Sequence, residues 1–339
     1  MSEWIGTANK GYSPYAMEEL RRLASGAGFV QLLPGEVFLM RCELSPDDLH
    51  AAIAQHEPIF LRHIQPVDRK MDIHGNAEDL GALSEMIRQS RLRLENRRVA
   101  VHIRRSNSSP YPYSAADTKA VLDAVLEEIG AEPAVQDPEM IVAVFAADET
   151  LYAGFGTPCE MLSDWPGGAI RFKREEGQIS RAKFKLLEAE RTFGLDYTAY
   201  RQALDIGAAP GGWTTLLLER GLQVTAVDPA ELHPSLRNHP HLVHLKRNAA
   251  DLSLAPRSFD LLVCDMSWSP ILMTKLILDL KDALASYATA VITVKLMHRK
   301  PMGTIREVRE RLGSAFEVMS AKQLFHNRDE ITLVLQKKQ

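Results

Sequence analysis

The sequence predicts an α/β protein whose C-terminal domain, residues 179–339, is built on a mostly parallel sheet. In this stretch near-continuous apolar strands alternate with helices, which is the pattern of a parallel sheet covered on both faces. Two smaller alternations of helix and strand come first, at residues 1–70 and 71–160, and predict α+β domains. Segment 161–178, with its prolines and glycines, is typical of a linker. The chain of 339 residues has room for two or three domains.

The two N-terminal domains are predicted from short elements with clear ends. Residues 1–70 follow the order strand, helix, strand, helix, strand, and acidic residues begin the second helix, where the helix dipole favours them. This pattern predicts a unit of the ferredoxin-like kind. Within residues 71–160, a Ser/Asp capping signal opens a helix that ends at Gly130, and a hairpin turns at residues 147–149.

Composition indicates the cellular compartment of the protein and the kinds of partner it binds. The formal net charge is −4, so binding to nucleic acid would need a local basic patch. No stretch approaches the ~18 apolar residues of a membrane span, and the N-terminal MSEWIGTANKGY lacks the regions of a signal peptide. Cys42, Cys159 and Cys264 have no metal-binding spacing. We therefore expect a cytoplasmic protein with no bound metal and no membrane partner.

An apolar strand runs into a glycine-rich turn and an apolar helix in LDIGAAPGGWTTLLLERG, residues 204–221. The spacing G-A-A-P-G-G differs from the G-x-G-x-x-G that brings backbone amides against a dinucleotide pyrophosphate. Asp228 ends the next strand, about 20 residues on, where a carboxylate can accept from two ribose hydroxyls. A ribose without a pyrophosphate, plus a carboxylate near the helix N-terminus, describes S-adenosyl-L-methionine better than NAD. The candidate cofactor contacts in this loop are Gly207, Ala208, Pro210, Gly211, Gly212 and Trp213.

The adenine of this cofactor is expected beyond the third strand, near LKRNAADL. Methyltransferases of this architecture often place an Asp there, and this chain offers Asn248 and Asp251. Asn248 fits the spacing better, and its amide oxygen can accept from the adenine amine, but both residues remain candidates. Asp265, at the end of the fourth strand, completes the candidate cofactor set.

The residues around Asp265 indicate which atom receives the methyl group. The run CDMSWSP lacks the Asn/Asp-Pro-Pro-aromatic pattern of enzymes that methylate amines. Methylation of a ring carbon needs an exposed nucleophilic cysteine. Cys264 points to the opposite face of its strand from Asp265, because side chains alternate, and is expected to be buried. A hydroxyl acceptor remains.

Hydroxyl methylation needs a base, and a lysine can serve if nearby positive charge favours its neutral form. Lys295 lies within the apolar strand AVITVKLM, where a charge is costly unless it is paired. Lys185 lies in the helix before the glycine-loop strand, and Glu330 begins the final strand. With Asp265 these residues give the order Lys-Asp-Lys-Glu along the chain.

The segments SRAKFKLLEA, LDIGAAPGGWT, VCDMSWSP, VKLMHRK and FHNRDEITLVL resemble the motifs of the FtsJ-like 2'-O-ribose methyltransferases. The closer likeness is to members that methylate a cytidine of 23S rRNA. The resemblance implies a ferredoxin-like domain at 1–70, a THUMP-like RNA-binding domain at 71–160 and a Rossmann-like methyltransferase domain at 179–339. Asn248 stands where the family usually has Asp.

The resemblance also implies roles for four residues. By their motif positions, Lys185, Asp265, Lys295 and Glu330 are the catalytic tetrad. In the mechanism we expect, Lys295 takes the proton of the 2'-hydroxyl. Asp265 orients Lys295, and Glu330 braces a lysine from the other side.

An RNA substrate requires a basic surface, although a charge run is also typical of a solvated face. Three stretches of basic residues could form such a surface. They lie around a predicted strand of the second domain, in the segment that leads into the C-terminal domain, and directly after Lys295. They are Arg91, Arg93, Arg97, Arg98, Arg104 and Arg105; Arg171, Lys173, Arg174, Arg181 and Lys183; and His298, Arg299 and Lys300.

Two other functions remain open from the sequence. The chain could be a small-molecule O-methyltransferase, or a non-catalytic RNA-binding assembly factor that keeps the methyltransferase fold. The interdomain arginines and the Lys-Asp-Lys-Glu set argue against the small-molecule enzyme, and the intact tetrad with the intact glycine loop argues against the non-catalytic factor.

Overall fold

The computed structural model describes residues 1–174, 176–297 and 300–339. The chain divides into two compact units, Met1–Ile170 and Arg171–Gln339. The division falls inside the segment predicted as a linker. No helix of the described residues is long and apolar enough to cross a membrane.

The N-terminal unit begins with a four-stranded antiparallel sheet in the order β2-β3-β1-β4. Its elements are β1 (Ser2–Thr7), α1 (Ser13–Leu23), β2 (Gly28–Leu33), β3 (Val37–Cys42), α2 (Pro46–Gln55) and β4 (His63–Pro66). This β-α-β-β-α-β order is that of a ferredoxin-like unit. The sequence pattern missed β2, which lies at the sheet edge and is largely exposed, so it lacks the apolar alternation of a half-buried strand.

The same unit contains a five-stranded sheet in the order β5-β9-β8-β6-β7. Its elements are β5 (Arg69–Asp72), α3 (Ala77–Gln89), α4 (Arg91–Leu94), β6 (Arg98–Arg105), α5 (Ala115–Glu128), β7 (Glu132–Ala134), β8 (Met140–Ala147) and β9 (Thr150–Gly156). Ser114 and Asp117 form the predicted capping box of α5. The predicted hairpin is β8–β9, with Asp148 in its turn at φ 48°. Buried side chains of α3, α5 and the sheet form the core.

The C-terminal unit is a seven-stranded sheet in the order β12-β11-β10-β13-β14-β16-β15. Its elements are α6 (Lys183–Thr192), β10 (Gln202–Ile206), α7 (Gly212–Glu219), β11 (Gln223–Val227), β12 (Leu242–Leu245), β13 (Phe259–Cys264), α8 (Pro270–Asp279), β14 (Leu284–Lys295), α9 (Pro301–Leu312), β15 (Phe316–Lys322) and β16 (Glu330–Lys337). Strands β10 to β14 pair in parallel, and β16 runs antiparallel to both neighbours. The predicted α/β class with a mostly parallel sheet is confirmed.

The order of strands determines where this unit can bind a ligand. The chain leaves β10 toward β11 and β12 on one side, then returns to place β13 on the other side. In open α/β sheets, ligands bind outside the carboxyl ends of the strands at such a switch point. The glycine loop follows β10 and Asp265 follows β13, so both lie at this edge.

Candidate functional site

The four residues predicted as a catalytic tetrad come from four elements of the C-terminal unit. Lys185 is on α6, Asp265 directly follows β13, Lys295 ends β14 and Glu330 begins β16. Lys295 and Glu330 are paired across the antiparallel β14–β16 ladder. Residues opposite each other in such a ladder share a face of the sheet.

Lys185 is bound by the two carboxylates. Its Nζ lies 3.0 and 3.1 Å from the Asp265 oxygens and 2.6 Å from Glu330 Oε1. All three side chains are less than one-fifth exposed. Burial alone lowers the pKa of Lys185, but Asp265 and Glu330 outweigh it, so the pKa of Lys185 is raised. Lys185 is therefore a fixed cation.

Asp265 also accepts a hydrogen bond from the Thr293 hydroxyl, at 2.8 Å. Thr293 precedes Lys295 by two residues on β14, so both side chains lie on one face of the sheet. The expectation that Asp265 orients Lys295 is not met, because its carboxylate holds Lys185 and Thr293. Lys295 is exposed, and among the described residues no carboxylate lies within ion-pair distance of it.

Two glycines of the glycine loop lie so close to neighbouring side chains that no larger residue fits there. A Cβ on Gly207, at φ +76°, would lie 2.5 Å from Met266 Cγ, and one on Gly211, at φ +114°, would lie 2.3 Å from Leu236 Cδ1. Both values of φ belong to the region that favours glycine. The loop therefore brings bare backbone to the switch point, beside the residue that follows Asp265. Ala208 and the cis-linked Pro210 complete it.

Two glycine-loop residues also hold α7 against α6. A Cβ added to Gly212 would lie 3.0 Å from Ser180 Cβ, so the two backbones approach closely. The Trp213 indole N–H donates to Ala182 O at 2.8 Å, and the ring is 3% exposed in the core. The structure thus places the Trp213 side chain in packing, which leaves its backbone for the predicted cofactor contact.

Asp228 lies at the carboxyl end of β11 and is fixed by backbone amides. Ala209 N donates to one of its oxygens at 3.1 Å and Ala230 N to the other at 2.8 Å. A carboxylate has about four acceptor positions, so both oxygens can still accept from ribose hydroxyls. The residues present fit the predicted cofactor at this position.

Asn248 makes a local hydrogen bond at the start of a short turn. Its Oδ1 accepts from Ala250 N at 3.2 Å and caps the short turn Ala249–Asp251. The same oxygen keeps a second lone pair that could accept from the adenine amine, and the Asn248 amide N–H₂ remains a donor. Asn248 and Asp251 are both exposed.

Sequence reasoning missed Asp205, a buried acid beneath the site. Asp205 is 1% exposed on β10 and accepts from the Thr214 hydroxyl at 2.6 Å. Burial raises its pKa to about 7; the Thr214 hydrogen bond opposes this rise, while Asp265 and Asp228 add to it. The sequence feature that could have revealed Asp205 is its position as a single acid in the apolar run QALDIGA.

Glu188, three residues after Lys185 on α6, was also missed. It is 2% exposed and accepts from Phe325 N at 2.6 Å, His326 N at 2.8 Å and His326 Nδ1 at 2.7 Å. It therefore anchors the loop that leads to Glu330. Nothing distinguishes it in the charged helix sequence KFKLLEAERT.

Several basic residues predicted as an RNA surface are paired with acids. Arg91 lies 2.9 Å from Glu95, Arg93 lies 3.3 Å from Asp68, and Arg98 lies 3.8 Å from Glu132. The buried Lys183 lies 2.8 Å from Glu219. His298 and Arg299 lie outside the described residues.

Metal-ligating clusters and the cysteine beside Asp265 are two further candidates for reactive groups. Among the described residues, no group of three His, Cys, Asp or Glu side chains could hold a metal ion. Cys264 is fully buried as predicted, and burial raises the pKa of its thiol, so it is a core residue.

Comparisons with known proteins find relatives of the C-terminal unit. The family model described as FtsJ-like methyltransferase matches residues 178–323. Proteins named "Ribosomal RNA large subunit methyltransferase M" are similar, one from Halorhodospira halophila at 36% identity over 58% of each chain. Another, from Laribacter hongkongensis, is 34% identical over 50% of this chain and 51% of its own. The chain thus matches little more than half the length of these relatives.

Solved structures are more distant in sequence. TrmN from Thermus thermophilus is 15% identical, with a TM-score of 0.41 over 99% of this chain and 100% of its own. A methyltransferase dependent on S-adenosylmethionine from Mesorhizobium loti is 12% identical, with a TM-score of 0.39 over 48% of this chain and 100% of its own.

The family match bears on the predicted cofactor and fold together. The match covers the glycine loop, Asp228, Asp265 and Lys295, and supports S-adenosyl-L-methionine as the cofactor. Residues 178–323 of this chain are thus similar to the FtsJ-like methyltransferases.

Proposed function

We propose that this chain is an S-adenosyl-L-methionine-dependent 2'-O-ribose methyltransferase that acts on RNA, at a cytidine of 23S rRNA. The observation that carries the proposal is the arrangement of two lysines at the switch point. Lys185 is held by Asp265 and Glu330, and the exposed Lys295 stands opposite Glu330 in the ladder.

The residues that would hold the cofactor are the backbone of Gly207, Ala208, Pro210 and Gly211, the carboxylate of Asp228 and the region around Asn248. The bare loop admits close approach, and Asp228 keeps acceptor positions for ribose hydroxyls. When bound, S-adenosyl-L-methionine supplies the methyl group and a positively charged sulfur.

The two lysines have different roles in the proposed reaction. Because its two carboxylate partners raise the pKa of Lys185, this lysine stays protonated and serves as a fixed positive charge instead of accepting a proton. Lys295 is exposed, and its Nζ would accept the proton that the 2'-hydroxyl loses when it is methylated. Asp265, itself bound by Thr293, and Glu330 keep Lys185 in place, so the set is assembled before the substrate arrives.

The RNA substrate is supported by the relatives and by the arrangement of the N-terminal unit. The similar proteins are named for the large-subunit ribosomal RNA. Residues 1–70 fold in the ferredoxin-like order, and we propose that residues 71–160 form the THUMP-like RNA-binding domain. In this proposal the cytoplasm is the site of action, because the substrate is ribosomal RNA.

Transfer of a labelled methyl group tests this function. The purified chain is incubated with labelled S-adenosyl-L-methionine and, separately, unmodified 23S rRNA, 16S rRNA, a tRNA pool and catechol as a small hydroxyl acceptor. We expect label in 23S rRNA as an alkali-resistant 2'-O-methylcytidine. Label in tRNA alone would overturn the substrate, and label in catechol alone would favour the small-molecule alternative. Cofactor binding without any transfer would favour the non-catalytic alternative.

A further inference from the structure

Three aromatic rings pack against one another within the C-terminal unit. Phe172 precedes α6, Phe184 lies in the first turn of α6, and His326 lies in the loop before β16. The ring centres of Phe172 and Phe184 are 5.5 Å apart, with their planes inclined by 29°. The His326 ring lies 5.5 Å from the first ring and 5.4 Å from the second. These three residues form the aromatic cluster.

The aromatic cluster is open to solvent. All three residues are partly exposed, and the side chain of His326 is 18% exposed. Aromatic rings bind further rings by offset stacking or edge-to-face contact. The exposed ring surface can therefore accept a planar ligand.

The His326 ring is held in one orientation by a buried carboxylate. Its Nδ1–H donates to Glu188 Oε2 at 2.7 Å, and its backbone N–H donates to the same oxygen at 2.8 Å. Among the described residues, the other ring nitrogen, Nε2, has no hydrogen-bond partner and is not buried, so the free edge of the ring faces solvent. A ring fixed in this way loses little conformational freedom when a ligand stacks on it.

Helix α6 places the aromatic cluster close to the candidate tetrad. Glu188 follows Lys185 by three residues, so these side chains are neighbours on the helix surface, with Cβ atoms about 5–6 Å apart. Glu188 holds His326, and Lys185 holds Glu330 at the end of the same loop. The aromatic cluster therefore lies about one helical turn from the fixed lysine.

Four exposed cations flank the aromatic cluster along the chain. Two stand on either side of Phe172, one precedes Phe184 and one follows His326. They are Arg171, Lys173, Arg181 and Arg328. In the part of the chain that the structure describes, none of the four has an acidic partner, whereas Arg93 and Arg98 of the N-terminal unit do. The surroundings of the rings can therefore attract the phosphates of a nucleic acid.

We propose that the aromatic cluster binds an unpaired base of the RNA substrate, near the nucleotide that is methylated. Unpaired bases stack on Phe and His rings, and basic side chains beside such rings follow the backbone of the same strand. A base inside a duplex cannot use the site, because its faces are covered by its neighbours. That the ligand is RNA rests on the proposed function, whereas the exposed rings and their flanking charges are features of the structure.

Two substitutions of His326 separate stacking from structural support. His326→Phe and His326→Leu both remove the side-chain hydrogen bond to Glu188, but only His326→Phe keeps a ring. Binding is measured for a short RNA oligonucleotide without internal pairing and for the same strand annealed to its complement. We expect His326→Leu to bind the single strand about tenfold more weakly than the unmodified chain does, and His326→Phe to stay within about twofold of it. The affinity for the duplex should be the same for all three proteins.

Phe172→Leu tests the cluster at a residue that does not contact Glu188. Its control is Tyr287→Leu, which removes an exposed ring toward the amino end of β14. We expect about tenfold weaker binding of the single strand for Phe172→Leu and no change for Tyr287→Leu. Equal losses for His326→Phe and His326→Leu, or no loss for His326→Leu and Phe172→Leu, would overturn the stacking site.

Chemical modification of the unmodified chain gives a readout that needs no variant to fold. Diethyl pyrocarbonate modifies exposed histidine nitrogens, and peptide mass spectrometry locates the product. With the single strand at roughly ten times its dissociation constant, modification of His326 should slow by about tenfold. Modification of His241, which is exposed directly before β12, should not slow. Equal modification of His326 with and without the bound strand would overturn the site.

The site and the proposed function can fail separately. If His326 is protected but no RNA receives a methyl group, the proposed function fails and the base site stands. If methyl transfer to RNA proceeds and His326 is not protected, the reverse holds.

Discussion

Lys185 Nζ and Glu330 Oε1 lie 2.6 Å apart and form an ion pair between helix α6 and strand β16, which are far apart in the sequence. The residue opposite Glu330 in the ladder is Lys295, so the exposed lysine lies on the strand next to the one that holds the fixed lysine. The ion pair is less than one-fifth exposed, so solvent screens it only weakly.

Removing the fixed cation should damage stability and activity together. In Lys185→Met, Asp265 and Glu330 would face each other partly buried without a positive partner, and we expect a loss of about 1–3 kcal/mol of unfolding free energy. Methyl transfer should fall by about 10²-fold or more. Urea denaturation and single-turnover transfer measure the two effects.

A double variant separates charge repulsion from lost packing. If repulsion is the cause, Lys185→Met combined with Glu330→Gln should be more stable than Lys185→Met alone. Additive losses from the two changes would contradict the coupling described for this pair.

The close approach of the glycine loop predicts a contrast between two glycines. Gly207→Ala and Gly221→Ala place a side chain at φ +76° and φ +87°, but only the first brings Cβ into contact, 2.5 Å from Met266 Cγ. Each should lose about 1 kcal/mol for the backbone conformation. Calorimetric titration with S-adenosyl-L-methionine should show weakened binding for Gly207→Ala alone. Equal affinities for the two variants would remove the loop from the cofactor site.

Glu188 should act by positioning the loop before Glu330. In Glu188→Gln an amide N–H₂ replaces one of two oxygens that accept from Phe325, His326 and the His326 ring. We expect a stability loss of about 1–3 kcal/mol and slower methyl transfer with unchanged affinity for S-adenosyl-L-methionine. Glu310→Gln, an exposed change on α9, is the control. A transfer rate equal to that of the control would show that the loop does not need this anchor.

Asp205 predicts a pH dependence of stability. Its folded pKa is about 7 against an ordinary value of 3.8, so between these values the folded state binds a proton that the unfolded state has lost. Stability should therefore fall as pH rises from about 4 to about 7, by up to ~1.4 kcal/mol per pH unit, and then level off. Asp205→Asn keeps an acceptor for Thr214 and removes the titration. Urea denaturation at pH 5 and pH 8 should show a smaller decrease for this variant than for the unmodified chain, and parallel decreases would exclude Asp205 as the cause.

The sequence was most informative where pattern and topology coincide. Alternating apolar strands and helices predicted the parallel sheet, and the carboxyl ends of its strands carry the residues selected from motifs. The ferredoxin-like order was seen except for β2, whose exposed edge gives no periodic signal.

Pairings between distant side chains were harder to predict. Asp265 was assigned to Lys295, but the position of α6 brings Lys185 to it instead. Arg104 belonged to a predicted basic surface, yet it packs between Phe145 and Gly167 because β6 lies beside residues distant in sequence. Such contacts depend on tertiary placement, which spacing along the chain does not encode.

The most direct measurement compares methyl transfer and cofactor binding in Lys295→Ala, with Lys275→Ala as an exposed lysine control on α8. If Lys295 is the base, its removal should slow single-turnover transfer to 23S rRNA by about 10²–10⁴-fold. The dissociation constant of S-adenosyl-L-methionine should stay within about twofold of the control. Transfer by Lys295→Ala at the rate of Lys275→Ala would contradict the assignment of Lys295 as the base.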